Sequence, residues 1–358
     1  MSSPVSIYIH VPFCLKKHNA STPDVSASPR DVRQRYLEAL ECEIQNAGEL
    51  IDGREVAGLY VGGGGSLLRP DLLARLVLDI KRRMQPVRGM ELTIRFAPET
   101  LISTTISGLN ICSFNRISVE ALAQRDKDFS FLETPFTYET IEDGLNMASL
   151  FKFPNCDIEL LYGLPDQSAK AFENTLCAYA NFHHVGHITL RPYLGAGRLS
   201  EEQRTERFEQ AVDYLTRRGF ALYGANRFAR PGKECRFFLQ ECAGIDRIGF
   251  GAGAHTVLDG CWYHNTSDLG TYLEHAGDFG AIVAQAGVID TAQDLYRQTA
   301  LHLQTAQGCS YTPGAVPDLE QRLAQLAADG LVSLDGACVR PTHRGLQRPD
   351  LIRSALCA

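Results

Sequence analysis

A few groups stand out by type and spacing as able to do chemistry. His10 sits in the apolar run Ile7-Tyr8-Ile9-His10-Val11, with Cys14, His18 and Ser21 after it. Tyr60 precedes the run Gly62-Gly63-Gly64-Gly65-Ser66, and His255 ends the Gly/Ala-rich passage Gly249–His255. An imidazole titrates near neutrality, so His10 and His255 are candidate general bases; a hydrogen-bonded structural histidine is the competing reading. Tyr60, Tyr162 and Tyr193, at strand ends, orient a substrate or cap the core. Four successive glycines after a strand expose backbone N–H and C=O groups that a carboxylate, ammonium or phosphate can approach closely; a ligand-free tight turn is the alternative. No Gly-Lys-Ser/Thr follows and the spacing is not G-x-G-x-x-G, which argues against a dinucleotide or nucleoside triphosphate. Arg95, on a strand expected to face inward, is expensive to bury without an anion; Glu91, Glu159 or a ligand would supply one. His183, His184 and His187 carry no carboxylate at ligand spacing, so no metal site is assigned there.

These groups need a scaffold, and the 358 residues suffice for an α/β barrel with an appendage. Strand candidates are Ile7–Val11, Gly58–Val61, Leu92–Phe96, Leu109–Cys112, Ile158–Tyr162 and His187–Leu190, read as apolar runs of parallel strands buried on both faces. Helical periods fall at Asp31–Ala47, Pro70–Met84, Thr137–Phe151, Ser168–Phe182 and Ser200–Arg218, with Pro29 and Pro70 at plausible helix starts. Gly277–Val288 reads as a connector. Beyond Thr291 come two helices and a hairpin, Leu331–Leu334 and Ala337–Arg340 about an Asp335-Gly336 turn. The expected fold is α/β, a partial (β/α)6 barrel with a C-terminal helical, winged domain, divided as 1–280 and 281–358. In such barrels ligands sit at the C-terminal ends of the strands.

Lys plus Arg total 35 against 42 Asp plus Glu, a net charge of -7. That balance argues against a nucleic-acid partner, which would need a basic stripe. No stretch of 18 apolar residues and no basic, apolar leader occur, so a cytoplasmic protein with no membrane partner is expected. Eleven cysteines without a C-x-x-C pair suggest buried thiols rather than a disulfide framework.

Five passages, Tyr8-Ile9-His10-Val11-Pro12-Phe13-Cys14, Gly62–Gly65 with Ser66-Leu67-Leu68, Tyr162-Gly163-Leu164-Pro165, Asn226–Arg236 and Gly249–His255, together resemble a branch of the radical S-adenosylmethionine (SAM) family. That branch holds oxygen-independent coproporphyrinogen III oxidase and its haem-chaperone relatives. The resemblance implies a C-x-x-x-C-x-x-C loop holding a four-iron four-sulfur cluster, but the three positions here read Cys14, His18 and Ser21. One thiolate cannot hold the cluster, since imidazole and hydroxyl are poorer donors. Rescue would need a remote cysteine such as Cys112 or Cys235, so no functional cluster and no metal ligand set is expected. The family's Glu-Ala-Asn-Pro resembles Arg95-Phe96-Ala97-Pro98, its Gln-Ser pair Ile117-Ser118, its ribose-binding Asp Glu159, and its SAM-gripping arginine Arg125 within one residue of register.

The resemblance leads first to a SAM-binding protein that uses SAM without reductive cleavage, by methyl or alkyl transfer or cyclisation. Gly62–Gly65 and Ser66 would hold the aminoacyl end with Arg95, Ser118 and Arg125 nearby. Glu159 would take the ribose, and Gly251 and Gly253 would make room for adenine or acceptor. His10, Tyr60 and His255 would be catalytic. A second reading is a haem or tetrapyrrole carrier with Cys14 and His18 as axial-type ligands and propionates on Arg95 or Arg191. A third is coproporphyrinogen oxidase-like radical chemistry on an atypical cluster. The acceptor and the oligomeric state are not specified by the sequence.

Overall fold

The computed structural model describes residues 4–17, 26–110 and 113–357. Its compact units are discontinuous: Met1–Glu159 with Ile245–Val288, and Leu160–Gly244 with Ile289–Ala358. The expected pair 1–280 and 281–358 follows the change of sequence pattern and stays a proposal about folding units. No helix among the described residues is long and apolar enough to cross a membrane.

In the first unit, β1 (Val5–Val11), β2 (Glu55–Gly63), β3 (Gln85–Phe96), β4 (Arg116–Leu122) and the first four residues of β5 (Cys156–Tyr162) lie side by side in that order. The β1–β2, β2–β3 and β3–β4 pairs are parallel. On the other edge of β1 lie Arg247–Phe250, parallel to it, then His255–Leu258, Cys261–Asn265 and Val283–Val288 in antiparallel succession. The α/β class is as expected.

One correction concerns the faces of these strands. Ile7, Ile9, Val11, Leu59, Val61, Ile94, Phe96, Ile117 and Val119 are almost fully buried, and this apolar face carries the hydrophobic stabilisation. The opposite face is polar: Tyr8 and His10 of β1, Tyr60 of β2, Thr93 and Arg95 of β3, Ser118 and Glu120 of β4, Asp157 and Glu159 of β5. The period is therefore two, not a continuous apolar run. The same alternation hid β4, because Arg116, Ser118 and Glu120 interrupt it. The expected strand Leu109–Cys112 is instead the end of a helix, Ser103–Asn110, with Ile111 and Cys112 outside the described residues. Gly277–Val288 is not a connector either: it forms a short helix, Phe279–Ile282, and the edge strand Val283–Val288.

Helix α1 (Arg30–Asn46) buries Tyr36, Leu37, Leu40, Glu43 and Ile44, spacings of three and four that give one inward stripe. Its Tyr36 hydroxyl donates to the His10 carbonyl at 2.7 Å and accepts from the Ala252 N–H at 2.9 Å, tying the end of β1 to the Gly251-Ala252 turn.

In the second unit Val185–Pro192, Arg227–Ala229 and Ala221–Gly224 form an antiparallel group. Glu201–Thr216 opens with a Ser200/Gln203 capping box. The winged segment is a three-stranded ladder of Cys309–Ser310, Cys338–Pro341 and Val332–Asp335. The expected Asp335-Gly336 hairpin is observed, with Gly336 at φ 57. Leu303, Leu323, Leu326, Val339, Ile352 and Leu356 make this segment's own core.

Gly251 has φ 106, and a Cβ there would collide with the His10 carbonyl and the Tyr36 hydroxyl. Gly251→Ala is expected to lower stability by roughly 2–4 kcal/mol. Gly260→Ala, also left-handed at φ 76 but with open space around it, should cost about 1 kcal/mol. Urea unfolding of the two variants checks the difference.

Candidate functional site

The polar face converges on Arg95. Its Nη2 lies 2.8 Å from Glu159 Oε2 and 3.0 Å from Glu120 Oε1, with the three side chains 17%, 12% and 21% exposed. Burial works against the guanidinium charge, but Glu120 and Glu159 outweigh it and raise the group further above its ordinary value. Arg95 Nε is buried without a hydrogen-bond partner among the described residues. Ser118 donates to Asp157 Oδ2 at 2.6 Å and lies 3.4 Å from Glu159 Oε1, which holds Glu159 in place.

Around this centre stand Tyr8, stacked on both His10 and Tyr60 with ring centroids 5.9 Å apart in each case. The Tyr8 hydroxyl and His10 Nδ1 share a hydrogen bond of 3.2 Å. Glu99 is raised above its usual range by burial and, less, by Glu120. Burial also pushes the Cys14 thiol up; Lys17 opposes this, while Glu120 and Glu99 add to it.

The expected site residues divide. The structure brings together His10, Tyr60, Arg95, Ser118 and Glu159. Gly62 to Gly65 border them, and their packing explains the glycines without a ligand. A Cβ would collide with the Tyr8 ring at Gly62, the Val11 carbonyl at Gly63 (φ 63), the Phe13 carbonyl at Gly64 and Val61 at Gly65. The Gly64 N–H is already given to the Val11 carbonyl at 2.8 Å. The buried Ser66 hydroxyl accepts from the Ala97 N–H at 3.1 Å and from Thr100 at 2.7 Å.

Other expected residues are engaged elsewhere. Arg125 makes a two-pronged pair with Asp128, 2.6 and 2.8 Å, inside its own helical turn. His255 lies against His264, centroids 5.1 Å apart, and burial, His264 and Arg247 together lower its pKa. The Gly251 N–H is donated to Glu43 at 2.9 Å and the Gly253 N–H to the Thr266 carbonyl at 2.8 Å, so neither amide is presented to adenine. His18, Ser21 and Cys112 lie outside the described residues. Cys235 is buried, its N–H bonded to the Tyr223 hydroxyl at 3.1 Å. Arg95 pairs with Glu159, as one expectation had it, and with Glu120 rather than Glu91.

Tyr8, Glu99, Glu120 and Asp157 were missed. For Tyr8, Glu120 and Asp157 the signal was available, since each lies two residues from a recognised site residue on the same strand and so on the same face. Glu99 follows the third strand in a short turn, and only its packing places it near Cys14.

No family model matches the chain. It is similar to oxygen-independent coproporphyrinogen III oxidase of Escherichia coli (strain K12), 25% identical over 96% of this chain and 83% of that protein. It is also similar to the heme chaperone HemW of Mycobacterium tuberculosis (strain ATCC 25618 / H37Rv), 26% identical over 98% and 94%, and of Bacillus subtilis (strain 168), 24% over 95% and 96%. The solved coproporphyrinogen III oxidase (HemN) from Escherichia coli, described as a radical SAM enzyme, superposes with a TM-score of 0.86 over 99% of this chain and 90% of that one at 23% identity. That likeness shows the fold.

Arg95→Met leaves two carboxylates facing each other without their cation and is expected to cost about 3–5 kcal/mol. Adding Glu120→Gln and Glu159→Gln should recover most of the loss, as read by thermal and urea unfolding. The raised Cys14 thiol should alkylate with iodoacetamide at pH 7.5 more slowly than the exposed Cys261, followed by peptide mass spectrometry.

Proposed function

Since the chain belongs to the radical SAM branch that holds oxygen-independent coproporphyrinogen III oxidase and the haem chaperone, we propose that it binds SAM, or a cation of that shape, beside Arg95 and uses it by a polar, cluster-free reaction. The observation that carries this reading is the charge balance of the site. One guanidinium meets Glu120 and Glu159, with Glu99 adjoining Glu120. The excess negative charge suits a ligand bearing a sulfonium and an ammonium.

The family's four-iron four-sulfur cluster does not suit the donor set. Its three motif positions read Cys14, His18 and Ser21, and the one thiol is held towards its neutral form by burial and two carboxylates. A sulfonium is electrophilic without metal, so alignment suffices. The acceptor's lone pair attacks the methyl or alkyl carbon, the carbon–sulfur bond breaks with its electrons going to sulfur, and the acceptor's proton passes to the His10 imidazole. Tyr8 orients that imidazole through Nδ1. Tyr60 stacks behind Tyr8 and limits water. Gly62 and Gly63 allow the aminoacyl end to approach the rim.

Haem carriage is the second reading, supported by the likeness to HemW along most of the chain. Arg95 is a poor propionate partner because two carboxylates already hold it. The test is one anaerobic preparation. It is expected to hold no stoichiometric iron and sulfide, to bind SAM saturably in calorimetry with Glu159→Gln at least tenfold weaker, and to leave the Soret band of added haem unshifted. Stoichiometric iron and sulfide with formation of 5′-deoxyadenosine would overturn the reading in favour of radical chemistry. A saturable Soret shift without SAM binding would overturn it in favour of haem carriage.

A further inference from the structure

The first unit holds a cavity of about 510 Å3, bounded by the C-terminal end of α1, the residues just after it, Phe250, and the segment from Tyr263 to Ile282. Its walls are mostly apolar, with Leu50, Phe250, Phe279 and Ile282 among them, and Glu43 of α1 is the acidic group in its lining among the described residues. The volume is that of a site for a small organic molecule.

Glu43 is almost wholly buried. Its Oε2 accepts from the Gly251 N–H at 2.9 Å and the Tyr272 hydroxyl at 2.5 Å; its Oε1 accepts from Asn265 Nδ2 at 2.7 Å. A carboxylate has about four acceptor positions, so one on Oε1 stays open. Next to it Asn265, 1% exposed, spends its amide N–H groups on Glu43 and the Gly251 carbonyl at 3.0 Å. Its Oδ1 has no partner among the described residues. One buried oxygen beside Glu43, Asn265 Oδ1, therefore lacks a donor, and Glu43 itself, on the wall of the cavity, has an acceptor position to spare; an unmade hydrogen bond of this kind is costly.

We propose that this cavity binds a small amphipathic amine, with its apolar body against Phe250, Phe279 and Ile282 and its ammonium on Glu43 Oε1 beside Asn265. The ammonium supplies Glu43 with a further donor and with the countercharge a buried carboxylate needs. The titratable groups around Glu43 are the phenols of Tyr36 on α1, Tyr263 on its strand and Tyr272 on the helix Leu269–His275, with the Cys42 thiol near Tyr272. Burial raises Glu43 to about 7, against which the Tyr272, Gly251 and Asn265 hydrogen bonds work. The amine therefore pairs with the form that dominates above neutrality, and from pH 6 to pH 8 the ionised fraction of a group titrating near 7 grows about tenfold.

The probe is phenethylamine, charged at both pH values, titrated calorimetrically into the whole protein. Saturable binding about tenfold tighter at pH 8 than at pH 6 is expected, with no binding of phenylacetate. Phe279, 51% exposed at the rim, tolerates change without loss of the fold. Phe279→Lys places a cation at the entrance and should weaken phenethylamine at least tenfold while leaving the SAM titration unchanged. Failure of phenethylamine to saturate, a pH-independent affinity, or indifference to Phe279→Lys overturns the proposal.

Discussion

The buried guanidinium of Arg95, held between Glu120 and Glu159, is the constraint around which the first unit is arranged. A charge taken out of water is tolerable only when it is met by opposite charge in good geometry. Here β3, β4 and β5 must be neighbours in this register for the three groups to meet, because parallel pairing sets Arg95 beside Ser118 and puts Glu120 and Glu159 within 3.0 and 2.8 Å. Ser118 donates to Asp157 and lies 3.4 Å from Glu159 Oε1. The result is a cluster in which the Arg95 charge already has two carboxylate partners, and the proposed cationic ligand rests on that pairing.

A second constraint acts at the end of β1. The Gly62–Gly65 run looks like a ligand cradle in the sequence, yet each glycine is also demanded by a neighbour: Tyr8, a backbone carbonyl of β1 and its loop, or, at Gly65, the Val61 side chain. Likewise Gly251 leaves room for the His10 carbonyl and the Tyr36 hydroxyl, and its amide is bound by Glu43. These close approaches bring His10, Tyr8 and Tyr60 into one stack. The glycines therefore serve the site by letting the strands and α1 come together, whatever ligand lies above them.

Much of the fold was legible because helices such as Arg30–Asn46 and Pro70–Arg83 carry apolar residues at spacings of three and four. Strands with an apolar outer face declared themselves too. What failed was the assumption that parallel strands are apolar on both sides. β4, with Arg116, Ser118 and Glu120 on one face, broke that rule and was replaced by Leu109–Cys112, which merely had the right composition. Of the site, Arg95 and its pairing with Glu159 were readable from the cost of burying a cation. Glu120's place on that face was readable from Ser118, two residues before it, but its pairing with Arg95 was not, since only the register of β3 against β4 brings the two together. Arg125 failed for a local reason: Asp128, three residues on, satisfies its guanidinium within the same turn. His255 was expected among the catalytic groups, but it faces His264 across an antiparallel pair.

The central claim is that surplus carboxylate charge around Arg95 recognises a cationic sulfonium. The most direct measurement is calorimetry of S-adenosylmethionine against S-adenosylhomocysteine, its neutral thioether, at low ionic strength. The sulfonium should bind at least tenfold more tightly, with the difference shrinking as salt is added. Equal affinity for the two would contradict the account.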